Sequence, residues 1–118
     1  MDMIRGITHE GIVYVNLTPH ELNVIMDDGE IVNIPPSGIK ATCDTSTTPV
    51  RRIGGATGYR RSYGAVHGIP DPQDGVIYVT SGPAAEAAHR FDVVSPGDQV
   101  QLDDGKRACK GFAVWDED

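Results

Sequence analysis

Two Asp-Gly pairs set between apolar runs constrain the fold of this chain more than any other feature of its sequence. Asp28-Gly29 separates residues 22–26 from residues 31–34, and Asp104-Gly105 lies between a second pair of such runs. Both positions of an Asp-Gly turn accept positive φ, which a two-residue turn between antiparallel strands requires. The sequence therefore predicts two β-hairpins with tight turns.

Most of the other apolar runs are also short and rich in β-branched residues, so strands dominate the prediction. Residues 12–17 and 76–80 have the composition of buried strands. The one helical signal begins at Ser81, a residue type that caps helix N-termini, and continues through Pro83 into an alanine-rich stretch. We expect this helix to be about two turns long.

These elements fit one small domain. The chain has 118 residues and no linker divides it, so we expect a single domain over 1–118, with a core over about 11–115 and a short acidic C-terminal tail. The predicted fold class is mainly β (α+β): a small antiparallel sheet or barrel of hairpins with one short helix near residues 82–90.

Between Asp44 and Asp71 this acidic chain has no acidic residue, although it carries 17 acids against 10 bases overall. The window holds two arginine pairs on either side of a glycine-rich loop, which we expect at the tip of a long hairpin. Guanidinium groups fit phosphate or carboxylate, and glycine lets backbone N–H groups turn toward an anion. The predicted ligand-binding residues are Arg51, Arg52, Gly54, Gly55, Gly58, Tyr59, Arg60 and Arg61, with His20 outside the window.

Each of these residues also has a structural interpretation that the sequence leaves open. A glycine cluster is common at a flexible hairpin tip. Tyr59 beside arginine suits stacking on a base as well as packing across the strand pair, whereas for Tyr63 packing is favoured. His20 follows Thr18-Pro19 at a strand end, where its ring either caps a backbone carbonyl or serves as a ligand donor or general base.

Composition excludes several classes of protein. The net charge of −7 disfavours non-specific binding to nucleic acid or to an anionic membrane. The N-terminus has no apolar signal segment and no run is long enough to cross a bilayer, so we expect a cytoplasmic protein. Cys43 and Cys109 share no redox or metal spacing and are expected to be buried thiols.

Enzymatic signatures are absent from the sequence. It has no phosphate-binding loop with the required lysine, no dinucleotide fingerprint, no nucleophile elbow and no zinc-protease motif. The sequence therefore predicts no cofactor, no metal site and no catalytic residues. A small hydrolase that uses His20 or His67 stays open as an alternative.

Several short motifs, taken in order, resemble a known group of proteins. They include residues 16–20 (N-L-T-P-H), residues 36–38 (P-S-G) and residues 90–97, which carry an R-x-D-V-x-x-P-G pattern. In that order they are similar to small proteins found in tailed phages, prophages and some actinobacterial genomes, over about residues 13–112. That group has no established activity, so the resemblance implies a phage context and little chemistry. The loop at residues 53–61 is longer and more basic than is usual in the group.

Together these features predict a non-catalytic, phage-encoded binding protein that acts on a host component in the cytoplasm of the infected cell. The leading hypothesis is an anti-defence protein that sequesters a phosphorylated or cyclic-nucleotide ligand through the Arg/Gly loop. A homo-oligomer would supply two such loops to one ligand. The alternatives are an inhibitor that binds a host protein through its acidic surface, a small hydrolase, and a virion or assembly protein.

Overall fold

The computed structural model describes residues 6–116. The predictions made for the first five residues, and for the acidic tail beyond Asp116, fall outside this range. The elements in chain order are β1 (Ile7–His9), β2 (Ile12–Asn16), β3 (Leu22–Ile25), β4 (Ile31–Ile34), β5 (Thr42–Ile53), β6 (Ala56–His67), β7 (Val76–Val79), α1 (Gly82–Ala88), β8 (Val93–Gln101) and β9 (Arg107–Val114).

Seven strands form one sheet in the order β1-β2-β7-β8-β9-β3-β4, which curls into a nearly closed, barrel-like shape. A bridge between Asn16 and Pro36 joins the end of β2 to the chain that follows β4 and so brings the two sides of the sheet together. The antiparallel pairs β3–β4 and β8–β9 confirm the hairpins predicted at Asp28-Gly29 and Asp104-Gly105. The prediction of a mainly β fold with one short helix is confirmed.

The sheet also contains parallel strand pairs, which the hairpin signals do not anticipate. The pairs β2–β7, β7–β8 and β3–β9 are parallel. A turn signal predicts only how two strands that are consecutive in the chain pair, and it carries no information on how separate hairpins meet. Between β7 and β8 the chain crosses over through α1, as a parallel pair requires.

The helix α1 begins and ends where its capping residues place it. The hydroxyl oxygen of Ser81 accepts a hydrogen bond from the backbone N–H of Ala84 at 3.4 Å, and a proline occupies the first turn. The helix ends at Ala88 because His89 adopts a left-handed conformation with φ of 48°. Buried Ala84 and Ala85 face the core, so the predicted helix is confirmed and is two residues shorter than expected.

The interior consists of two clusters of buried side chains. Val15 belongs to the first cluster, whereas its neighbour Tyr14 packs against the second, because successive strand residues face opposite sides of the sheet. The first cluster contains Val15, Leu17, Tyr78, Ala85 and Val93, and the second contains Val24, Val32, Ile34 and Cys109.

Candidate functional site

The predicted ligand loop is the end of a long β-hairpin, which we call the arm (β5 and β6). The two strands have 12 residues each and form a two-stranded sheet of their own. At about 3.4 Å per residue the arm is roughly 40 Å long. It contacts α1, and nearly all of its residues are exposed. The Ser/Thr-rich residues 42–48 belong to this hairpin as well, because they pair with residues 60–67.

The turn at the end of the arm is shorter than the glycine-rich loop expected from the sequence. Ile53 pairs with Ala56, so the turn consists of Gly54 and Gly55 alone, and Gly54 has φ of +61°. A positive φ at the first central residue is the feature that calls for glycine in a tight hairpin turn. Gly58 and Tyr59 lie in β6 instead of the loop.

Gly58 makes room for the side chain of Ile53. A Cβ placed on Gly58 would lie 2.9 Å from Cδ1 of Ile53, a distance shorter than carbon–carbon contact allows. Ile53 therefore lies across the strand pair above Gly58, although 57% of it stays exposed. This gives Gly58 a packing role in the arm.

The two arginine pairs of the sequence are divided between the two faces of the arm. Opposite residues in an antiparallel pair share a face, and successive residues alternate. Arg52 pairs with Thr57, which places Arg52 on the same face as Tyr59. The side chains on this Arg/Tyr face include Arg52, Tyr59, Arg61 and Tyr63.

The opposite face of the arm is more apolar near its tip. Arg51 pairs with Gly58, and Ile53 pairs with Ala56, so both belong to the face that also carries Arg60. Val50 lies at a bulge between Pro49 and Arg51 and is 46% exposed. We call the surface formed by Arg51, Ile53 and Arg60 the tip face.

The arginines of the arm have no carboxylate partner in the part of the chain that the structure describes. The ion pairs found over residues 6–116 involve His9, His67 and Arg90, and none involves an arm arginine. All four side chains are exposed. At the base of the arm, Nε2 of His67 lies 3.1 Å from Oδ2 of Asp44, and both side chains are more than half exposed. Positive charge is therefore concentrated toward the tip.

His20 lies on the barrel and is not brought to the arm. Its backbone carbonyl accepts a hydrogen bond from the amide of Asn16, while its side chain is exposed. The ring borders a shallow cleft of about 330 Å³ whose lining residues, among them Arg107 and Gln99, all come from the barrel. Over residues 6–116, no three His, Cys, Asp or Glu side chains converge in a way that could hold a metal ion.

A second and larger cleft lies on the curled sheet, and the sequence did not reveal it. It encloses about 650 Å³, and Tyr14 and Phe112 stack in its floor with ring centroids 5.3 Å apart. Phe91 and Val114 border it with 81% and 58% of their surface exposed. Four carboxyl side chains also line it: Glu10, Asp27, Asp28 and Asp116. The described lining residues include no Lys or Arg. Residues so far apart in the chain give no local signal.

Both cysteines are free thiols, and the prediction that they are buried is confirmed for Cys109 and wrong for Cys43. Cys109 is buried in the second core cluster, and its burial raises the pKa of the thiol. Cys43 lies near the base of the arm and is partly exposed. Over residues 6–116 no helix has the length and apolar character needed to span a membrane.

Comparison of the chain with protein-family models gave no match, and comparisons with curated proteins and with solved structures gave none either.

Proposed function

We propose that this chain is a non-catalytic binding protein that captures a phosphorylated ligand on the Arg/Tyr face of its arm. The observation that carries the proposal is the alternation of two guanidinium groups and two phenol rings along one exposed face. Successive rows on a strand face are about 6.8 Å apart. From the tip toward the base of the arm, successive rows carry Arg52, Tyr59, Arg61 and Tyr63.

This arrangement suits a nucleotide. A base stacked on Tyr59 would have a guanidinium group in the row on either side, from Arg52 and from Arg61. Stacking of a base on an aromatic side chain contributes about 1–3 kcal/mol, and arginine binds phosphate through paired, charge-assisted hydrogen bonds. Binding of this kind needs no nucleophile and no general base.

The phage context implied by the sequence motifs suggests where such a ligand would come from. A phage protein that holds a phosphorylated or cyclic-nucleotide signal of its host would lower the free concentration of that signal and so act against host defence. The remaining surface is acidic, with a net charge of −7 for the whole chain. That charge disfavours long nucleic acids, whose many phosphates would meet the barrel, and favours a small ligand held at the arm.

The proposal is tested by native mass spectrometry of the protein isolated from a bacterial host during phage infection. We expect the wild type to carry a bound phosphorylated compound, and the variant Arg52→Glu/Arg61→Glu to have lost it. The matched control is Arg107→Glu/Lys110→Glu, which makes the same change in net charge at two exposed residues of β9. The control should retain the compound.

The same measurement separates capture from catalysis. A captured compound is released unchanged when the complex is heated, whereas an enzyme returns a compound of altered mass. Absence of any bound compound in the wild type, together with no binding to a panel of cyclic mono-, di- and trinucleotides, would overturn the proposal.

A further inference from the structure

We propose that the large cleft of the barrel is the docking site for the tip face of the arm of a second copy of this chain. Unlike the proposed function, this inference concerns how the protein assembles, and it does not depend on the ligand. It rests on three properties of the two surfaces: their apolar character, their opposite charge, and the separation of cleft and arm within one chain.

The first property is apolar surface on both sides. The floor of the cleft contains the stacked rings of Tyr14 and Phe112, and its edge contains Phe91, which is 81% exposed. On the tip face, Ile53 is 57% exposed. Exposed apolar side chains that are grouped around a cleft mark interaction sites in small proteins, and a cleft of about 650 Å³ has room for a side chain such as that of Ile53.

The second property is charge of opposite sign. Four carboxylates line the cleft, and no Lys or Arg does so among its described lining residues. The tip face presents Arg51 and Arg60, and its strands contain no acid beyond Asp44 at the base. An apolar centre surrounded by complementary charges is the usual anatomy of a specific protein interface.

The third property is that the cleft is formed without the chain's own arm. The arm belongs to a separate sheet beside α1, and no arm residue lines the cleft. An arm of about 40 Å is long enough to reach a neighbouring molecule. When each of two copies gives an arm and receives one, the contacts close in a two-fold dimer. The Arg/Tyr face points away from the tip face and stays free for a ligand.

The proposal is tested by sedimentation velocity of the full chain. We expect the wild type to have twice the mass of the 12.7 kDa chain, and raised salt to weaken the dimer because rim charges are screened. Three variants should have half the wild-type mass while keeping the wild-type far-UV circular dichroism: Ile53→Asp, Arg51→Glu/Arg60→Glu and Asp27→Lys/Asp28→Lys. The control Arg52→Glu/Arg61→Glu makes the same charge change on the other face of the arm and should stay dimeric.

Mixing the two charge-reversed variants provides the sharpest test. In a mixed pair, the glutamate-bearing arm of one chain meets the lysine-bearing cleft of the other. The second contact joins an unaltered arm to an unaltered cleft, as in the wild type. We therefore expect the mixture of Arg51→Glu/Arg60→Glu with Asp27→Lys/Asp28→Lys to recover the dimer mass. A monomeric wild type, a dimer that survives the tip and cleft substitutions, or a mixture that stays monomeric would each overturn the proposal. None of these results bears on ligand binding at the Arg/Tyr face.

Discussion

The side-chain amide of Asn16 donates a hydrogen bond of 2.7 Å to the backbone carbonyl oxygen of His20. The same amide group donates to the carbonyl oxygen of Ile34 at 3.0 Å, and the Asn16 side-chain oxygen accepts from both the N–H and the hydroxyl of Thr18. Asn16 is fully buried, and the hydroxyl of Ser37 donates to its backbone oxygen at 2.7 Å. One side chain thus connects the turn after β2 to the end of β4, where the barrel closes.

Replacing Asn16 with aspartate should strongly destabilise the fold. The substitution keeps the shape of the side chain but removes both donated hydrogen bonds and places a carboxylate against two carbonyl oxygens. We expect a loss of about 2–5 kcal/mol in the free energy of unfolding, measured by urea denaturation with Trp115 fluorescence. The control Gln99→Glu makes the same amide-to-carboxylate change at an exposed residue of β8 and should cost less than about 0.5 kcal/mol. Equal stability of the two variants would contradict the role given to Asn16.

The closure of the barrel at Asn16 shows why only part of the fold could be predicted from the sequence. The hairpin turns at Asp28-Gly29 and Asp104-Gly105, and the cap at Ser81, are local signals, and the elements that they predict are confirmed. The order of the hairpins in the sheet and the closure at Asn16 depend on contacts between distant residues, which a single sequence does not show. The motif at residues 16–20 has a structural role: its asparagine and threonine hold a turn, and the ring of His20 is exposed.

The candidate site shows the same division between local and distant signals. The acid-free window predicted a hairpin with concentrated positive charge, and the structure places that charge on an exposed arm. The sequence could not show that adjacent arginines such as Arg51 and Arg52 face opposite ways, because this follows from strand register. It also could not show the cleft, whose floor joins Tyr14 to Phe112. The functional roles of the predicted residues remain predictions.

Replacing Gly97 with alanine should disrupt the pairing of β8 and β9. A Cβ at this position would overlap the backbone carbonyl oxygen of Lys110 on the adjacent strand, and strand backbone has little freedom to move aside. We expect a loss of at least about 3 kcal/mol in the free energy of unfolding. The matched control is Gly55→Ala at the tip of the arm, where a Cβ meets no neighbour. A Gly97→Ala variant as stable as this control would show that the two strands are farther apart than described.

Stability should fall at alkaline pH. Tyr78 is fully buried, and its hydroxyl donates a hydrogen bond of 3.0 Å to the backbone carbonyl oxygen of Asp71. Burial raises the pKa of Tyr78 above the ordinary value of 10.0. Burial likewise raises the pKa of the Cys109 thiol above 9.0. Because the folded state holds these protons more tightly than the unfolded state, their contribution is fully present below about pH 9 and is lost as pH rises through the folded-state values.

The pH effect is measured by urea denaturation at a series of pH values. In the Tyr78→Phe variant the decline above about pH 10 should be shallower, whereas the exposed-tyrosine control Tyr59→Phe should follow the wild type. A free energy of unfolding that rises through this range, or a decline identical in all three proteins, would be inconsistent with a buried, neutral Tyr78.

The central claim is that one face of the arm captures a phosphorylated ligand. The phosphorus-to-sulfur ratio of the purified protein tests this claim most directly. The sulfur of two Cys and three Met residues per chain supplies an internal reference for the amount of protein. The protein is isolated from phage-infected host cells, washed at low salt and analysed by elemental mass spectrometry. Arg52→Glu/Arg61→Glu and Arg51→Glu/Arg60→Glu have the same net charge and alter opposite faces of the same arm. The account predicts stoichiometric phosphorus in the wild type and in Arg51→Glu/Arg60→Glu, and its loss from Arg52→Glu/Arg61→Glu. Phosphorus absent from the wild type, or lost equally from both variants, would contradict it.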